Sequence, residues 1–213
     1  MPDQNLIAPW SRICRLTFVF PGAATKVASG WIADKDLVVG AAHSAYDNGR
    51  KAEQVRIEAG LDGASRADHA TSTQLFIHDA FGAGQGDPSW DLVVIKTIDP
   101  FKSTIGWFPF GDLANRSFTV DGSRATIAGY RQSALARYQL TTLHVPDIQT
   151  NGRQRLEYNA ATHQGMSGSP VWIVDGDGFF WVVGVHTHDP EQQTQAVFVD
   201  DERAAWIISP RGP

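Results

Sequence analysis

The chain of 213 residues is poor in cysteine, in long apolar runs and in excess charge of one sign. Its single cysteine, Cys14, cannot form an intramolecular disulfide, which excludes a small disulfide-stabilised scaffold and is compatible with a reducing compartment. No apolar stretch approaches the roughly 20 residues that cross a bilayer, so we expect no membrane association. The 18 basic and 23 acidic residues are scattered along the chain and give a net charge of −5, which argues against a nucleic-acid partner.

The chain does contain many short runs rich in Val, Ile, Thr and aromatic residues, separated by Gly, Asp, Asn and Pro. This pattern predicts a mainly β protein. The candidate strands are residues 15–20, 30–33, 37–41, 55–59, 74–78, 92–96, 125–129, 138–144, 155–158, 170–174, 179–185 and 196–199. About a dozen strands fit a pair of six-stranded barrels better than one small sandwich.

The predicted organisation is a single domain spanning residues 1–213. The first barrel is expected in residues 10–100 and the second in residues 113–199, with the irregular stretch 99–112 at the crossing between them. Residues 200–208 place acids before Ala, Trp and Ile, which predicts a C-terminal helix.

Three segments place a catalytic type of residue beside a hydrophobic strand: LVVGAAHSAYD around His43, SWDLVVIKT around Asp91 and HQGMSGSPVW around Ser167. A nucleophilic serine needs a base, a carboxylate that orients the base, and paired N–H donors for the oxyanion. Glycines on both sides of Ser167 let the N–H groups of Gly165 and Ser167 converge on one point. The order His, Asp, Ser is that of the chymotrypsin type and differs from the subtilisin and α/β-hydrolase orders.

With these residues the chain resembles the trypsin/chymotrypsin-like serine peptidases, and within them the glutamyl endopeptidase (V8-like) branch. The resemblance runs from about residue 15 to residue 208 and includes LFIH at 75–78, IGWF at 105–108, IAGY at 127–130 and LEY at 156–158. It implies an all-β, chymotrypsin-like double six-stranded β-barrel with a C-terminal helix. The active site would lie between the barrels, with His43 and Asp91 from the first and Ser167 from the second.

Two departures from the family pattern affect compartment and activation. Ser44 stands where secreted relatives often have a cysteine. Met166 stands where trypsin has the aspartate that pairs with a newly cut N-terminus. An apolar side chain cannot make that ion pair, so we expect the chain not to depend on the trypsin-type switch.

The resemblance also implies the substrate-binding residues, which are Ala161, Thr162, His186 and Thr187. Ala161 stands where trypsin has a carboxylate, which disfavours basic substrates. Thr162 and His186 match positions at which glutamyl endopeptidases donate hydrogen bonds to a substrate carboxylate, which predicts a preference for Glu or Asp at the cut site. The segment His188-Asp189-Pro190 replaces the Asn-Gly-Gly of many relatives, and its carboxylate would oppose that preference.

The sequence therefore predicts a serine endopeptidase that needs no cofactor and acts through an acyl-enzyme on a protein or peptide substrate. Activity should rise with pH through an ordinary histidine pKa near 6.5. With no signal peptide visible, a cytoplasmic bacterial enzyme restrained by a regulatory protein partner is expected. Two alternatives stay open: a zinc site on His186, His188 and Asp189, and a catalytically inactive protease-fold module that binds peptides at a barrel edge.

Overall fold

The computed structural model describes residues 8–22, 25–61, 65–82, 86–116, 118–132, 138–151, 154–187 and 194–210. The strands in these residues are β1 (Ile13–Val19), β2 (Lys26–Asp34), β3 (Leu37–Gly40), β4 (Tyr46–Asp47), β5 (Arg50–Lys51), β6 (Gln54–Ala59), β7 (Asp68–Ser72), β8 (Gln74–Ile77), β9 (Val93–Lys96), β10 (Ser123–Gln132), β11 (Tyr138–Asn151), β12 (Arg155–Tyr158), β13 (Pro170–Val174), β14 (Phe180–Thr187) and β15 (Gln195–Phe198). The helix α1 spans Asp201–Ile208.

Each predicted strand overlaps an observed one, and the C-terminal helix is present. Three observed strands were not predicted. Two of them, β4 and β5, are two-residue strands that pair only with each other. The third, β7, has the sequence DHATS, which lacks the alternation of apolar side chains that identifies a half-buried strand.

The first sheet has seven strands in the order β7-β6-β1-β2-β3-β9-β8. Its two edge strands, β7 and β8, follow one another in the chain and are separated only by Thr73. The sheet therefore curls so that its two edges are joined at one bend in the chain. This bend divides one long extended segment into β7 and β8, so the sheet has seven strands where six were expected. At the bend, Ser72 Oγ donates to the Lys96 carbonyl of β9 at 2.6 Å and accepts from Gln74 N–H at 2.9 Å.

The second sheet is a closed barrel in the order β10-β11-β12-β15-β14-β13. Apolar side chains fill its interior, because alternate residues of each strand point inward. They include Ile127, Val145, Leu156, Met166 and Val183. A curled seven-stranded sheet, which forms a half-barrel, a closed six-stranded barrel and a C-terminal helix confirm the predicted all-β, chymotrypsin-like architecture.

A separate apolar core lies between the two barrels and includes Trp31, Phe108 and Trp172. The crossing segment contributes to it and bonds to both barrels: Phe108 N–H donates to the Ile32 carbonyl at 3.0 Å, and Val182 N–H donates to the Pro109 carbonyl at 3.0 Å. This core brings one face of each barrel together and defines the cleft at its edge.

The helix α1 packs against the same core through Ala204 and Ile207. The Asp200 side chain caps it by accepting a hydrogen bond from the Arg203 N–H at 3.0 Å. Among the described residues, no helix has the length and apolar character needed to cross a membrane.

Candidate active site

His43 and Asp91 lie at neighbouring strand ends of the first barrel. His43 belongs to a short 3₁₀ turn that follows β3, and Asp91 ends a similar turn just before β9. Because β3 and β9 pair with Gly40 opposite Val93, the two side chains meet at one end of the sheet. The Asp91 carboxylate accepts from the His43 backbone N–H at 2.8 Å and contacts His43 Nδ1 at 2.6 Å.

This paired contact fixes both the backbone and the ring of His43. A carboxylate only accepts hydrogen bonds, so Nδ1 is the donor and the neutral imidazole presents Nε2 as a proton acceptor. The His43 side chain is 38% exposed, whereas that of Asp91 is 9% exposed. The imidazole is therefore accessible from the cleft while its partner is held in the protein.

Burial lowers the pKa of the His43 imidazole, but the charge of Asp91 and the hydrogen bond to it raise the pKa by more. The pKa of His43 therefore lies above its ordinary value of 6.5, with the positive charges of Lys26 and Arg155 opposing the shift. The expectation of an ordinary histidine pKa is wrong, because the predicted contact with Asp91 raises the pKa by more than burial lowers it.

The turn that carries Asp91 is held by groups that the sequence analysis missed. Trp90 stacks on His78 with ring centroids 3.6 Å apart, and the guanidinium of Arg203 lies 4.4 Å from the Trp90 ring. A second buried arginine, Arg155 of β12, donates to the Pro88 carbonyl at 2.7 Å. The one available signal for Arg203 was its place with Ala204 and Ile207 on one face of α1.

Residues 163–169, here called the serine loop, approach the first barrel closely at Gly168. This residue has φ +89°, and a Cβ atom at its position would lie 2.1 Å from the Ser29 carbonyl oxygen and 2.9 Å from Ala41 N. Only glycine fits such a conformation and contact. The loop thus touches the backbone two residues before His43, at the residue that directly follows Ser167.

Each of the first three carbonyl groups of the loop accepts a hydrogen bond, beginning with that of His163, which accepts from the Met166 N–H at 3.1 Å. The Gln164 carbonyl accepts from the Gln132 N–H of β10 at 2.9 Å, and the Gly165 carbonyl accepts from Ser29 Oγ at 2.8 Å. In a trans peptide the N–H points opposite to the carbonyl of the same unit. The Gly165 N–H is therefore directed away from β10.

The next two carbonyl groups are engaged as well. The Met166 carbonyl accepts from Ser169 N–H at 3.0 Å and from Ser169 Oγ at 2.6 Å, and the Ser167 carbonyl accepts from Ser29 N–H at 2.8 Å. Within the described ranges, no acceptor takes the N–H of Gly165 or Ser167. An oxyanion requires two such unused donors near the serine hydroxyl.

Two predicted substrate-binding residues, His186 and Thr187, are buried at the end of β14. His186 exchanges backbone hydrogen bonds with the serine loop at Gly168 and Ser169. Its Nδ1 lies 2.6 Å from the Tyr158 hydroxyl, and Thr187 Oγ1 accepts from the Arg155 guanidinium at 2.8 Å.

Of the other residues predicted at the pocket, only Ala161 and Thr162 lie within the described residues. Ala161 is exposed and Thr162 is half-buried on the segment that leads into the serine loop. Residues 188–190, and with them the proposed zinc ligands His188 and Asp189, lie outside the described residues. Within the part of the chain that is described, no group of three His, Cys, Asp or Glu side chains is arranged to hold a metal ion.

Burial raises the pKa of the Tyr158 hydroxyl well above its usual value, and the nearby positive charge of Arg155 lowers it by less. The hydroxyl therefore stays protonated and can donate its hydrogen bond. Neither Tyr158 nor Arg155 was predicted as part of the site.

Comparison with known proteins identifies the family and the fold of the chain. The family model described as trypsin-like peptidase domain matches residues 28–185. The chain is 29% identical over 147 residues to the glutamyl endopeptidase of Bacillus licheniformis, and that alignment covers 68% of this chain and 44% of the relative. The chain thus spans less than half the length of this curated relative.

Among solved structures, that of a Glu endopeptidase superposes with a TM-score of 0.77 at 17% identity, covering 96% of this chain and 92% of that one. The scabies mite inactivated protease paralogue S-I1 superposes with a TM-score of 0.72 at 16% identity, covering 93% of this chain and 92% of that one. These similarities show the chymotrypsin-like fold. Since the family model covers most of the chain and the fold agrees, the protein belongs to the trypsin-like peptidase domain family.

Proposed function

We propose that this protein hydrolyses peptide bonds with Ser167 as nucleophile, His43 as general base and Asp91 as the carboxylate that orients and stabilises the histidine. The observation that carries the proposal is the pair of contacts from His43 to Asp91, which leaves Nε2 as the accepting atom. The unused N–H groups of Gly165 and Ser167 support it.

In the proposed reaction, His43 Nε2 takes the proton of the Ser167 hydroxyl as the oxygen attacks the scissile carbonyl carbon. The carbonyl oxygen becomes an oxyanion and accepts hydrogen bonds from the Gly165 and Ser167 N–H groups. Charged His43, stabilised by Asp91, then gives the proton to the leaving amine as the peptide bond breaks. Water attacks the acyl-enzyme through the same steps and releases Ser167. Side chains and backbone groups carry each step.

The direct test is covalent labelling with a fluorophosphonate, which reacts with an activated serine. Wild-type protein should be labelled at Ser167 and should cleave a protein substrate, whereas Ser167→Ala should do neither and should retain the wild-type thermal unfolding temperature. Loss of both activities in a folded variant isolates the hydroxyl. A wild-type protein that is folded but unlabelled would contradict the proposal and favour the peptide-binding alternative, since an inactivated protease paralogue shares the fold.

We propose further that the enzyme prefers an acidic residue at the cut site. The Tyr158 hydroxyl lies 2.6 Å from Nδ1 of His186 and 3.3 Å from the Gln195 carbonyl oxygen. We infer that its single proton is donated to the closer atom, Nδ1, so the proton of the neutral imidazole lies on Nε2 and makes Nε2 a donor. The buried guanidinium of Arg155 adds positive charge beside Thr187. Ala161 adds no negative charge that would attract a basic side chain.

A charge-assisted hydrogen bond contributes about 1.5–3 kcal/mol, roughly tenfold to over a hundredfold in discrimination. Cleavage of matched peptides with Glu, Asp, Ala, Phe or Arg at the cut site tests the preference, and Glu is expected to give the highest kcat/KM. A preference for Arg would contradict it. The Ala peptide is the control, because its side chain makes no polar contact.

We also propose that activity does not depend on a newly cut N-terminus. Met166 is fully buried in the core of the second barrel, so the position next to the nucleophile is filled by packing instead of an ion pair. The unprocessed chain should therefore be active with Met1 in place. Activity that appears only after N-terminal cleavage would contradict this.

A further inference from the structure

Ser29 is a buried polar residue in a strand of the first barrel, and the proposed reaction assigns it no role. It lies in β2, and its side chain has no contact with solvent. Its hydroxyl donates to the Gly165 carbonyl at 2.8 Å and accepts from the Tyr130 N–H at 2.7 Å, while its own N–H donates to the Ser167 carbonyl at 2.8 Å. One residue thus holds three backbone groups of the second barrel.

These bonds hold the loop at two points, one between the two predicted oxyanion donors and one just after the second. The Gly165 carbonyl belongs to the peptide unit that follows the Gly165 N–H, and the Ser167 carbonyl belongs to the unit that follows the Ser167 N–H. Fixing both carbonyls limits rotation of the backbone about Gly165, which has φ +94° and no side chain to restrain it.

Neighbouring backbone packs closely around Ser29 and restricts its side chain. A Cβ atom added to Gly129 of β10 would lie 2.6 Å from Ser29 Oγ, and one added to Gly168 would lie 2.1 Å from the Ser29 carbonyl oxygen. Glycines on both flanks therefore admit Ser29 between β10 and the serine loop. The contact is tight enough to transmit the position of β2 to the loop.

We propose that Ser29 is a positioning residue whose hydroxyl keeps the oxyanion donors aligned; the inference rests on the proposed serine endopeptidase function. Without the hydroxyl, the Gly165 carbonyl loses its partner, and the Gly165–Met166 peptide keeps only the bond from the Met166 N–H to the His163 carbonyl at 3.1 Å, so the peptide can turn more readily. Oxyanion stabilisation is made in the transition state and not in the bound substrate. Loss of alignment therefore lowers kcat and leaves KM nearly unchanged.

The test compares Ser29→Ala and Ser29→Cys with Ser72→Ala as a matched control. Ser72 is also a buried serine of the first barrel that donates to a backbone carbonyl and accepts from a backbone N–H, but its partners are Lys96 and Gln74, outside the site. Ser29→Ala should lower kcat about tenfold to a hundredfold, below the 10²–10³ typical of losing an oxyanion donor itself, with KM changed less than about twofold. Ser72→Ala should leave both constants unchanged.

Ser29→Cys retains a side chain of similar shape with a weaker donor, so its kcat should lie between wild type and Ser29→Ala. If Ser29→Ala does not fold, this variant carries the comparison. The rate of fluorophosphonate labelling should fall in the same order, while the pH at which activity rises should not move, because the contacts of His43 are intact.

The kcat of Ser29→Ala is compared with that of Ser72→Ala, and Ser29→Cys takes the place of Ser29→Ala if the latter does not fold. Equal kcat values in this comparison would overturn the role of Ser29 even in an active enzyme. A rise in KM at constant kcat would overturn it as well, because it would indicate a change in substrate binding. A wild-type protein that neither reacts with fluorophosphonate nor cleaves a substrate would instead overturn the proposed function, and this inference with it.

Discussion

Replacing the buried arginine of the C-terminal helix should weaken the fold and the site together. The Arg203 guanidinium donates to the Ser89 carbonyl at 2.7 Å, to Ser89 Oγ at 3.1 Å and to Gln154 Oε1 at 2.6 Å, and it pairs with Asp200 at 2.8 Å. The Arg203→Ala variant removes all of these contacts and leaves a cavity next to Trp90.

The cost of Arg203→Ala follows from the groups left behind. The Ser89 carbonyl loses its partner inside the protein, which costs about 1–3 kcal/mol. The Asp200 side chain is 24% exposed and is partly hydrated without the arginine, so its cost is smaller. Truncating a large, fully buried side chain also leaves a cavity that costs about 2–5 kcal/mol, so the total loss is at least about 3 kcal/mol. We expect the free energy of unfolding to fall by about 3–5 kcal/mol, or roughly 6–20 °C in melting temperature at about 2–4 °C per kcal/mol.

Urea unfolding of wild type and Arg203→Ala measures this loss, and Arg66→Ala is the control. The Arg66 side chain is 42% exposed and pairs with Glu58 at 3.4 Å, so its loss should cost about 0–1 kcal/mol. Arg203→Ala should also lower kcat, because the turn it holds carries Asp91, whereas Arg66→Ala should not. A loss below about 1 kcal/mol for Arg203→Ala, or one equal to that of the control, would refute the reasoning.

Three further predictions concern the site itself. Asp91→Asn should lower kcat by about 10⁴-fold. It should also move the pH at which the remaining activity rises to a lower value, because burial then lowers the pKa of His43 without the opposing effect of Asp91. A pH–rate profile that keeps the wild-type midpoint would contradict this. Tyr158→Phe should reduce kcat/KM for a Glu peptide about tenfold more than for an Ala peptide by removing the donor to His186 Nδ1, and an equal loss for both peptides would contradict it. Gly168→Ala should destabilise the fold by at least about 1–3 kcal/mol in thermal unfolding and abolish labelling, because its Cβ would meet a backbone carbonyl of β2 at positive φ; a stable, labelled variant would be inconsistent with the geometry.

The strands and the candidate triad could be predicted because their signals are local. Alternating apolar side chains identify a strand within five or six residues, and glycines on both sides of Ser167 indicate a special backbone within a single loop. The strand β7 was missed for the same reason, since DHATS has no apolar alternation and is held by pairing with β6.

The supporting polar contacts could not be predicted, because each joins residues far apart in the chain. The partners of Ser29, Arg155 and Arg203 lie 136, 67 and 114 residues away, respectively. No periodicity links such positions. The pairing of His43 with Asp91 was predicted, but the direction of the pKa shift of His43 depends on how burial and the contact with Asp91 oppose each other, which only the folded protein sets.

These long-range contacts are directional, which matters for a catalytic site that lies between two barrels. The apolar core between the barrels holds them together, but apolar packing is non-directional and tolerates rearrangement when volume is conserved. Hydrogen bonds from Ser29, Arg155 and Arg203 to single carbonyl oxygens fix the relative position of the barrels along the cleft. A site divided between two barrels needs its groups held within about 0.5 Å. It follows that conservative changes in the apolar core should lower stability before they lower activity. For an equal loss of stability, removal of any of these three polar side chains should lower kcat by more than a change in the apolar core does.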